Sequence, residues 1–467
     1  MSKLSLLDLG FFIAETEASP KHVGGLLICR RPAKSTIAFA KNLHQEFLTF
    51  TEVTAPFNRV INFTFAPMPQ WQEAESVDLT QHVYYHKLPK GKRGRNDRKA
   101  LYDFVAKLHT PMLDRTRPLW EVHVIDGLDD GRFALYQKMH HAYADGVTMT
   151  RWTAEGMAHS ASQKKLTPIW TLNHGGYAAK RKKRSQEMMQ SAWSEVGGTS
   201  RRLLGIGRLT AMLLLESVKL TKNAIALPFV SSAKTPLTGQ VTSGRQFTTA
   251  GVSMARVEQI RKRTRSTLNH VALTCLDGAL RHYLSDQGVE LTRPIIIQMP
   301  VNLRKEGEKT AGNKIGIVLV ELSPPTDDPY VRLRNIGFSL RNVRTMVDSV
   351  APEAIESYTI ITGLVAQIAE LLKLSNSLPP MGNTLVSNVP GPKQHLYIKG
   401  AKMEEMHPIS TLPPSNLLNI TLFSYAGDLF FGLIATDDLP NLHRLSEYVQ
   451  DAFTELEASV RDAHAVG

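Results

Sequence analysis

The stretch from Trp120 to Gly146 constrains the fold more than any other part of the chain. Two strand-like runs, Trp120 to Ile125 and Arg132 to His140, flank the turn-rich Asp126-Gly127-Leu128-Asp129-Asp130-Gly131, and a hairpin is the economical reading. The second run leads straight into His140-His141-Ala142-Tyr143-Ala144-Asp145-Gly146. Two adjacent imidazoles followed by a carboxylate and a glycine point to proton transfer, because histidine takes and returns a proton near neutral pH.

Strand alternation puts Phe133, Leu135, Gln137, Met139 and His141 on one face, and Ala134, Tyr136, Lys138 and His140 on the other. The first set is more apolar. His141 is therefore expected on the more enclosed side as a neutral general base, with His140 in support. Asp145 either fixes an imidazole or holds the loop, for instance by pairing with a distant arginine, and spacing leaves both roles open. Gly146 is expected to give a tight exit where a Cβ would obstruct a close backbone approach. Adjacent histidines on opposite strand faces speak against a metal site of the helical HExxH kind. No GxSxG elbow and no thiol-based site occurs, so a covalent protein intermediate is not expected.

A chain of 467 residues exceeds the usual limit of one growing core, so two domains are the default. The formal net charge of +12 attracts nucleic acid, anionic lipid or a phosphorylated small molecule without choosing among them. Basic residues concentrate at Lys180 to Arg184 and at Lys87, Lys90, Lys92, Arg93, Arg95, Arg98 and Lys99. Aromatics do not interleave with them, which argues against a nucleic-acid platform. Cys29 and Cys275 sit in apolar runs and read as buried small side chains, with no disulfide or zinc framework. No uncharged run reaches membrane-spanning length and no cleavable leader is evident, so a cytoplasmic protein is expected. The segment Leu203 to Leu220, with Ile206, Leu209 and Leu213 on one face, packs on a domain or lies at a membrane surface.

Strands are expected at His22 to Cys29, Arg59 to Phe65, Ile295 to Met299, Ile315 to Leu322, Thr384 to Asn388, Leu418 to Tyr425 and Leu429 to Ala435. Helices are expected at Ile37 to Leu48, Leu268 to Leu284 after a Thr267 cap, Pro329 to Val350, Ala354 to Leu372 and Leu442 to Arg461. The mixture gives an α/β protein with a first lobe over residues 1–170, a basic helical connector over 171–245 and a second lobe over 246–467.

His140 to Gly146 matches the HHxxxDG signature of the coenzyme A-dependent acyltransferase superfamily, and further blocks resemble its bacterial wax ester synthase/diacylglycerol acyltransferase branch. These are Leu6-Leu7-Asp8 with Phe11-Phe12 and His22 to Leu26, Leu113 to Glu121 with its Pro118-Leu119-Trp120, Pro300 to Arg304, Gly312-Asn313, and Asn388 to Pro392. The resemblance spans nearly the whole chain. It implies two chloramphenicol-acetyltransferase-like lobes, each a mixed sheet flanked by helices, with the catalytic histidine in a channel between them. It also implies transfer of a long-chain acyl group from acyl-coenzyme A to a fatty alcohol or diacylglycerol. Acyl-coenzyme A is then a substrate and no cofactor is expected.

Carried over residue by residue, the resemblance implies His141 as base, Asp145 as motif acid and Asn269 as a hydrogen-bond donor to the oxyanion. The family's acid after that asparagine is replaced by His270, and the arginine that follows its connector corresponds to Arg245. Asp145 pairing with Arg304 is an expectation. Pro118, Leu119 and Trp120 read first as hinge or core packing and second as channel wall. Peripheral contact with an anionic membrane, at its inner face, or with lipid inclusions is left open. The rival readings are a peptide-condensation enzyme, which shares HHxxxDG, and a non-catalytic scaffold on a lipid surface. Neither the oligomeric state nor the preferred acceptor follows from the sequence.

Overall fold

A computed structural model describes residues 2–3, 11–12, 14–63, 70–89, 98–174, 226–302, 315–350 and 352–465. Two six-stranded mixed sheets, each with helices packed on it, form its two lobes. The strands are β1 (Ser2–Lys3), β2 (His22–Arg30), β3 (Arg59–Asn62), β4 (Gln70–Glu73), β5 (Val83–Lys87), β6 (Trp120–Asp126), β7 (Arg132–His140), β8 (Arg245–Ser253), β9 (Ile296–Asn302), β10 (Ile315–Glu321), β11 (Thr384–Pro390), β12 (Tyr397–Ile398), β13 (Ala401–Ile409), β14 (Leu418–Tyr425) and β15 (Asp428–Thr436). The α-helices are α1 (Phe39–Phe47), α2 (Arg98–His109), α3 (Gly146–Glu155), α4 (Met254–Thr264), α5 (Leu268–Ser285), α6 (Pro329–Ser349), α7 (Pro352–Leu371) and α8 (Leu442–Ala465).

The first sheet runs β12-β13-β2-β7-β6-β5 and the second β10-β9-β11-β14-β15-β8, while β1, β4 and β3 make a small third sheet. The expected hairpin is present: β6 and β7 pair antiparallel, from Trp120 opposite Met139 to Ile125 opposite Ala134. Its loop needs left-handed backbone at Gly127, Asp130 and Gly131, which explains the two glycines and an aspartate there.

Consecutive strands do not stay in consecutive lobes. Strand β13, from the second half of the chain, pairs antiparallel with β2, from Lys402 opposite Arg30 to Ile409 opposite Gly24. The second lobe expected over 246–467 therefore surrenders residues 397–409 to the first sheet, because the edge of β2 would otherwise lie unpaired. The lobes are fastened again where β15 passes β13: a Cβ at Gly432 would stand 2.0 Å from the Pro408 carbonyl oxygen. Helix α2 of the first lobe also reaches β8 of the second, with Tyr102 Oη and Thr249 Oγ1 2.8 Å apart.

Helix α5 is the spine of the second lobe. Thr267 caps it by accepting from the His270 amide at 3.2 Å, and Val271 to Leu280 is buried without a break. On α8, Leu442, Leu445, Val449, Ala452, Phe453, Leu456 and Val460 recur at three- and four-residue spacing and are buried, so one stripe faces the core. Arg304, Gly312-Asn313, Leu6 to Asp8, Lys90 to Arg95, the basic run at 180–184 and the segment 203–220 lie outside the described residues. At the start of α2, Arg98 is paired with Glu405 and Lys99 with Asp103. Cys29 and Cys275 are buried, and burial raises both thiols' pKa. No described helix is long and apolar enough to cross a membrane.

Candidate active site

The site is assembled where β7 ends. His140 is its last residue and lies opposite His22 of β2, while its amide donates to the Leu119 carbonyl at 2.9 Å. His141 already belongs to the turn, and its amide donates to the Lys21 carbonyl at 2.8 Å. This reverses the burial expected from strand alternation: His140 is fully buried and His141 is half-buried. Alternation fails for two reasons. The strand stops before His141, and both faces of the first sheet are covered, so Ala134, Tyr136 and Lys138 are as buried as Leu135 and Met139.

Both imidazoles are stacked by the N-terminal segment. Phe11 lies on His141 and Phe12 on His140, each with ring centroids 4.4 Å apart and planes within 17° and 11° of parallel. His140 Nδ1 accepts from the Ala142 amide at 3.1 Å, so its proton sits on Nε2. That Nε2 faces Glu15 Oε2 at 3.5 Å.

Glu15 is the residue that the sequence reading missed. Its buried carboxylate accepts from the Lys21 amide at 2.9 Å through Oε1, and from Arg115 Nη2 at 2.9 Å through Oε2. Burial works against the charge. The opposing His140, the Lys21 amide and Arg115 outweigh it and hold the Glu15 pKa down at about 2. The signal available in the sequence was an acid directly after Phe11-Phe12-Ile13-Ala14, with Glu17 two residues on, which reads equally well as surface punctuation.

Asp145 takes a role that the sequence reading did not name. It is the N-cap of α3, its Oδ1 accepting from the Thr148 amide at 2.7 Å. The pairing with Arg304 concerns a partner outside the described residues. Gly146 does not serve a close backbone approach: among the described residues a Cβ there would meet only Val389 Cγ2 at 3.5 Å, an ordinary contact. That contact does bring β11 of the second lobe onto the start of α3.

Pro118, Leu119 and Trp120 are buried as scaffolding. Trp120 Nε1 donates to the Phe57 carbonyl at 2.8 Å, and its ring stacks between His82 and Trp170. The motif's Tyr143 ties the two blocks together, its hydroxyl accepting from the Leu119 amide at 3.0 Å and donating to the Arg59 carbonyl.

From the second lobe, Asn388 Nδ2 donates to Asn269 Oδ1 at 2.8 Å, joining the end of β11 to the first turn of α5. His270 follows at the next position, with burial and Arg341 lowering its pKa. Arg245, at the expected boundary between connector and second lobe, opens β8. Its guanidinium is buried and donates to the Ala18 carbonyl at 2.7 Å, holding the segment that carries Glu15. Burial lowers the Arg245 pKa to about 10. Among the described residues no His, Cys, Asp and Glu cluster could hold a metal ion.

Two mixed sheets meeting at a buried His-His turn define a two-lobed acyltransferase fold of the HHxxxDG kind. The match to the wax ester synthase/diacylglycerol acyltransferase catalytic domain covers residues 4–272, and that to the WS/DGAT C-terminal domain covers 311–457. The chain belongs to this wax ester synthase/diacylglycerol acyltransferase family. It is 30% identical over 472 residues to the O-acyltransferase WSD of Acinetobacter baylyi, covering 98% of each chain. It is 31% identical to a putative diacylglycerol O-acyltransferase of Mycobacterium tuberculosis, covering 98% of this chain and 100% of that one. The wax ester synthase/diacylglycerol acyltransferase of Marinobacter aquaeolei superposes with a TM-score of 0.76 at 28% identity, over 98% of this chain and 100% of that one. The first condensation domain of the CDA synthetase shares the fold alone, at a TM-score of 0.60 and 13% identity over 99% of this chain and 96% of that domain.

Proposed function

We propose that this chain transfers a long-chain fatty acyl group from acyl-coenzyme A to the hydroxyl of a fatty alcohol or a diacylglycerol, with His141 as general base. The observation that carries the assignment is the division of labour between the imidazoles. His140 is sealed in, with Nδ1 committed to the Ala142 amide and Nε2 turned to Glu15. His141 is the half-buried member, within reach of a substrate. His141 takes the hydroxyl proton as the oxygen attacks the thioester carbonyl. The tetrahedral intermediate collapses with cleavage of the carbon–sulfur bond, and the imidazolium returns the proton to the departing thiolate. No protein-bound acyl group is needed, and the reaction calls on no cofactor beyond its two substrates.

Asn269 is read as an oxyanion donor. Its amide oxygen is occupied by Asn388, which leaves the amide nitrogen as the end free to donate. Asp145 acts on the site through the helix it caps.

Work from the cytoplasmic side, with peripheral contact at the inner membrane face or a lipid-inclusion surface, goes with this reading. Ile361, Val365, Ile368 and Leu372 support it by forming an exposed apolar stripe at helical spacing on α7 and its continuation. The decisive experiment supplies long-chain acyl-coenzyme A with a fatty alcohol or with diacylglycerol, and follows ester and free thiol together. Equal release of both is expected, and undiminished ester formation by folded His141→Ala would reject the base.

A further inference from the structure

The segment from Phe11 to Lys21 supports the two histidines of the first lobe, yet the second lobe holds it. Its middle is a tight turn in which the Ser19 amide donates to the Thr16 carbonyl at 3.0 Å, and Ala18 stands at the corner. Before this turn come Phe11, Phe12 and Glu15, which stack on or face the two imidazoles. After it comes Lys21, whose carbonyl takes the His141 amide. Both halves of the histidine support therefore hang from the turn at Ala18.

Arg245 fixes that turn from the start of β8. Its Nη2 donates to the Ala18 carbonyl at 2.7 Å, while Nη1 donates to the Gly244 carbonyl at 2.8 Å and to the Thr242 carbonyl. One planar guanidinium thus bonds the approach to β8 and the segment over the site at the same time. Gln367 of α7 adds a longer bond, from Nε2 to the Ala14 carbonyl at 3.4 Å. The arrangement is costly. Arg245 is buried, and Lys21, a second buried cation, feels its charge. Among the described residues Asp437 offsets that burial by charge alone, without a hydrogen bond to the guanidinium. An apolar side chain of similar volume would fill the space without this cost, so what the guanidinium supplies is the connection.

We propose that Arg245 is a positioning residue for the transfer step: it fastens to the second lobe the segment that orients His140 and His141, so the base is aligned only while the two lobes are docked. The inference rests on the acyl-transfer reading for what the site does, but the fastening itself can be tested without turnover.

Arg245→Met removes these bonds and keeps most of the volume. The Lys21 amide, bonded to Glu15, and the His141 amide, bonded to the Lys21 carbonyl, report on the clasp. Hydrogen exchange read by mass spectrometry should quicken at both by about tenfold, while the buried stretch Val271 to Leu280 of α5 keeps its wild-type rate. In ester assays kcat should fall about 10- to 100-fold with KM nearly unchanged, the size expected when reacting groups are misplaced by about 1 Å. Because the effect passes through the segment that bears Glu15, the same substitution should cost much less in a Glu15→Gln background. Arg245→Lys, which returns the charge on a single nitrogen, should recover part of the loss. Wild-type kcat in Arg245→Met, losses that multiply in full in the double variant, or exchange that quickens equally in α5 would overturn the proposal. Should Arg245→Met fail to fold, Arg245→Lys carries the test, with kcat about threefold below wild type and faster exchange at His141. Wild-type kcat and exchange in that variant would overturn the proposal equally. A wild-type chain that forms no ester with either acceptor, while Arg245→Met still frees the His141 amide, would sink the acyl-transfer reading and leave the clasp standing. Ester formation by a chain whose His141 amide is indifferent to Arg245→Met would sink the clasp.

Discussion

Glu15 Oε2 stands 3.5 Å from His140 Nε2, on the opposite side of the ring from the Nδ1 that accepts the Ala142 amide. The carboxylate that orients an imidazole in this site thus comes from far up the chain. The motif's own acid is spent on a helix cap. Removing the Glu15 charge while keeping its shape should loosen the His140 ring and, with it, the adjacent turn. Glu15→Gln is expected to lower kcat by about 10- to 100-fold, the range typical when a group that orients a functional histidine is changed. KM should move little. A variant with wild-type kcat would mean that Arg115 and the Lys21 amide hold the turn without the charge.

The two histidines should separate by stability as well as by activity. His141→Ala removes a half-buried ring stacked on Phe11 and should cost about 10²- to 10⁴-fold in rate while the melting temperature changes little. His140→Ala empties a fully buried position and strands the Glu15 carboxylate, so it should lower the melting temperature as well as the rate. Thermal unfolding alongside ester assays checks both arms.

Much of this was legible in the sequence because it is local. The hairpin, the Thr267 cap and the strand Leu418–Tyr425 follow from turn chemistry and periodicity within a few residues. The capping role of Asp145 was not read from the sequence, although an acid before a helix start is itself a local signal. What escaped depended on distant partners. Strand β13 reads as nothing in particular until β2 offers it an edge, and Glu15 reads as surface until His140, Arg115 and Lys21 surround it. The parity argument failed for a related reason: it assumed one solvated sheet face, and the fold covers both.

Asp145→Ala and Asp145→Asn should part company. The alanine loses the cap on α3, which costs about 1 kcal/mol, while asparagine caps nearly as well. Unfolding in denaturant should show that difference, and activity should follow the cap and not the charge. Loss of activity in Asp145→Asn at unchanged stability would return a charge-dependent role to this residue.

The buried charges beneath the site give the protein a pH signature at both ends. Glu15 has its folded pKa depressed from the ordinary 4.5 to about 2, so its stabilisation is present above pH 4.5 and is lost as the pH falls toward 2. Lys21 and Lys138 are cations whose folded pKa is pushed from 10.5 down to about 8 by burial. Between those values the unfolded chain holds protons that the folded chain has released. Stability contributed by these two lysines therefore rises from pH 8 to pH 10.5. Melting curves should show the acid limb flattened in Glu15→Gln and the alkaline rise reduced in Lys21→Met.

The Asn388–Asn269 hydrogen bond joins β11 to the first turn of α5, and it makes a prediction about specificity of role. If the Asn269 nitrogen serves the oxyanion, Asn269→Ala should lower kcat by about 10²- to 10³-fold, as removal of such a donor does. Asn388→Ala leaves that nitrogen in place but frees the amide to turn, so its loss should be smaller and should vanish when Asn269 is already alanine. A double-mutant cycle on kcat/KM measures this directly. Additive losses in the two single variants would show that the asparagines act independently, and would move the oxyanion donor to another group.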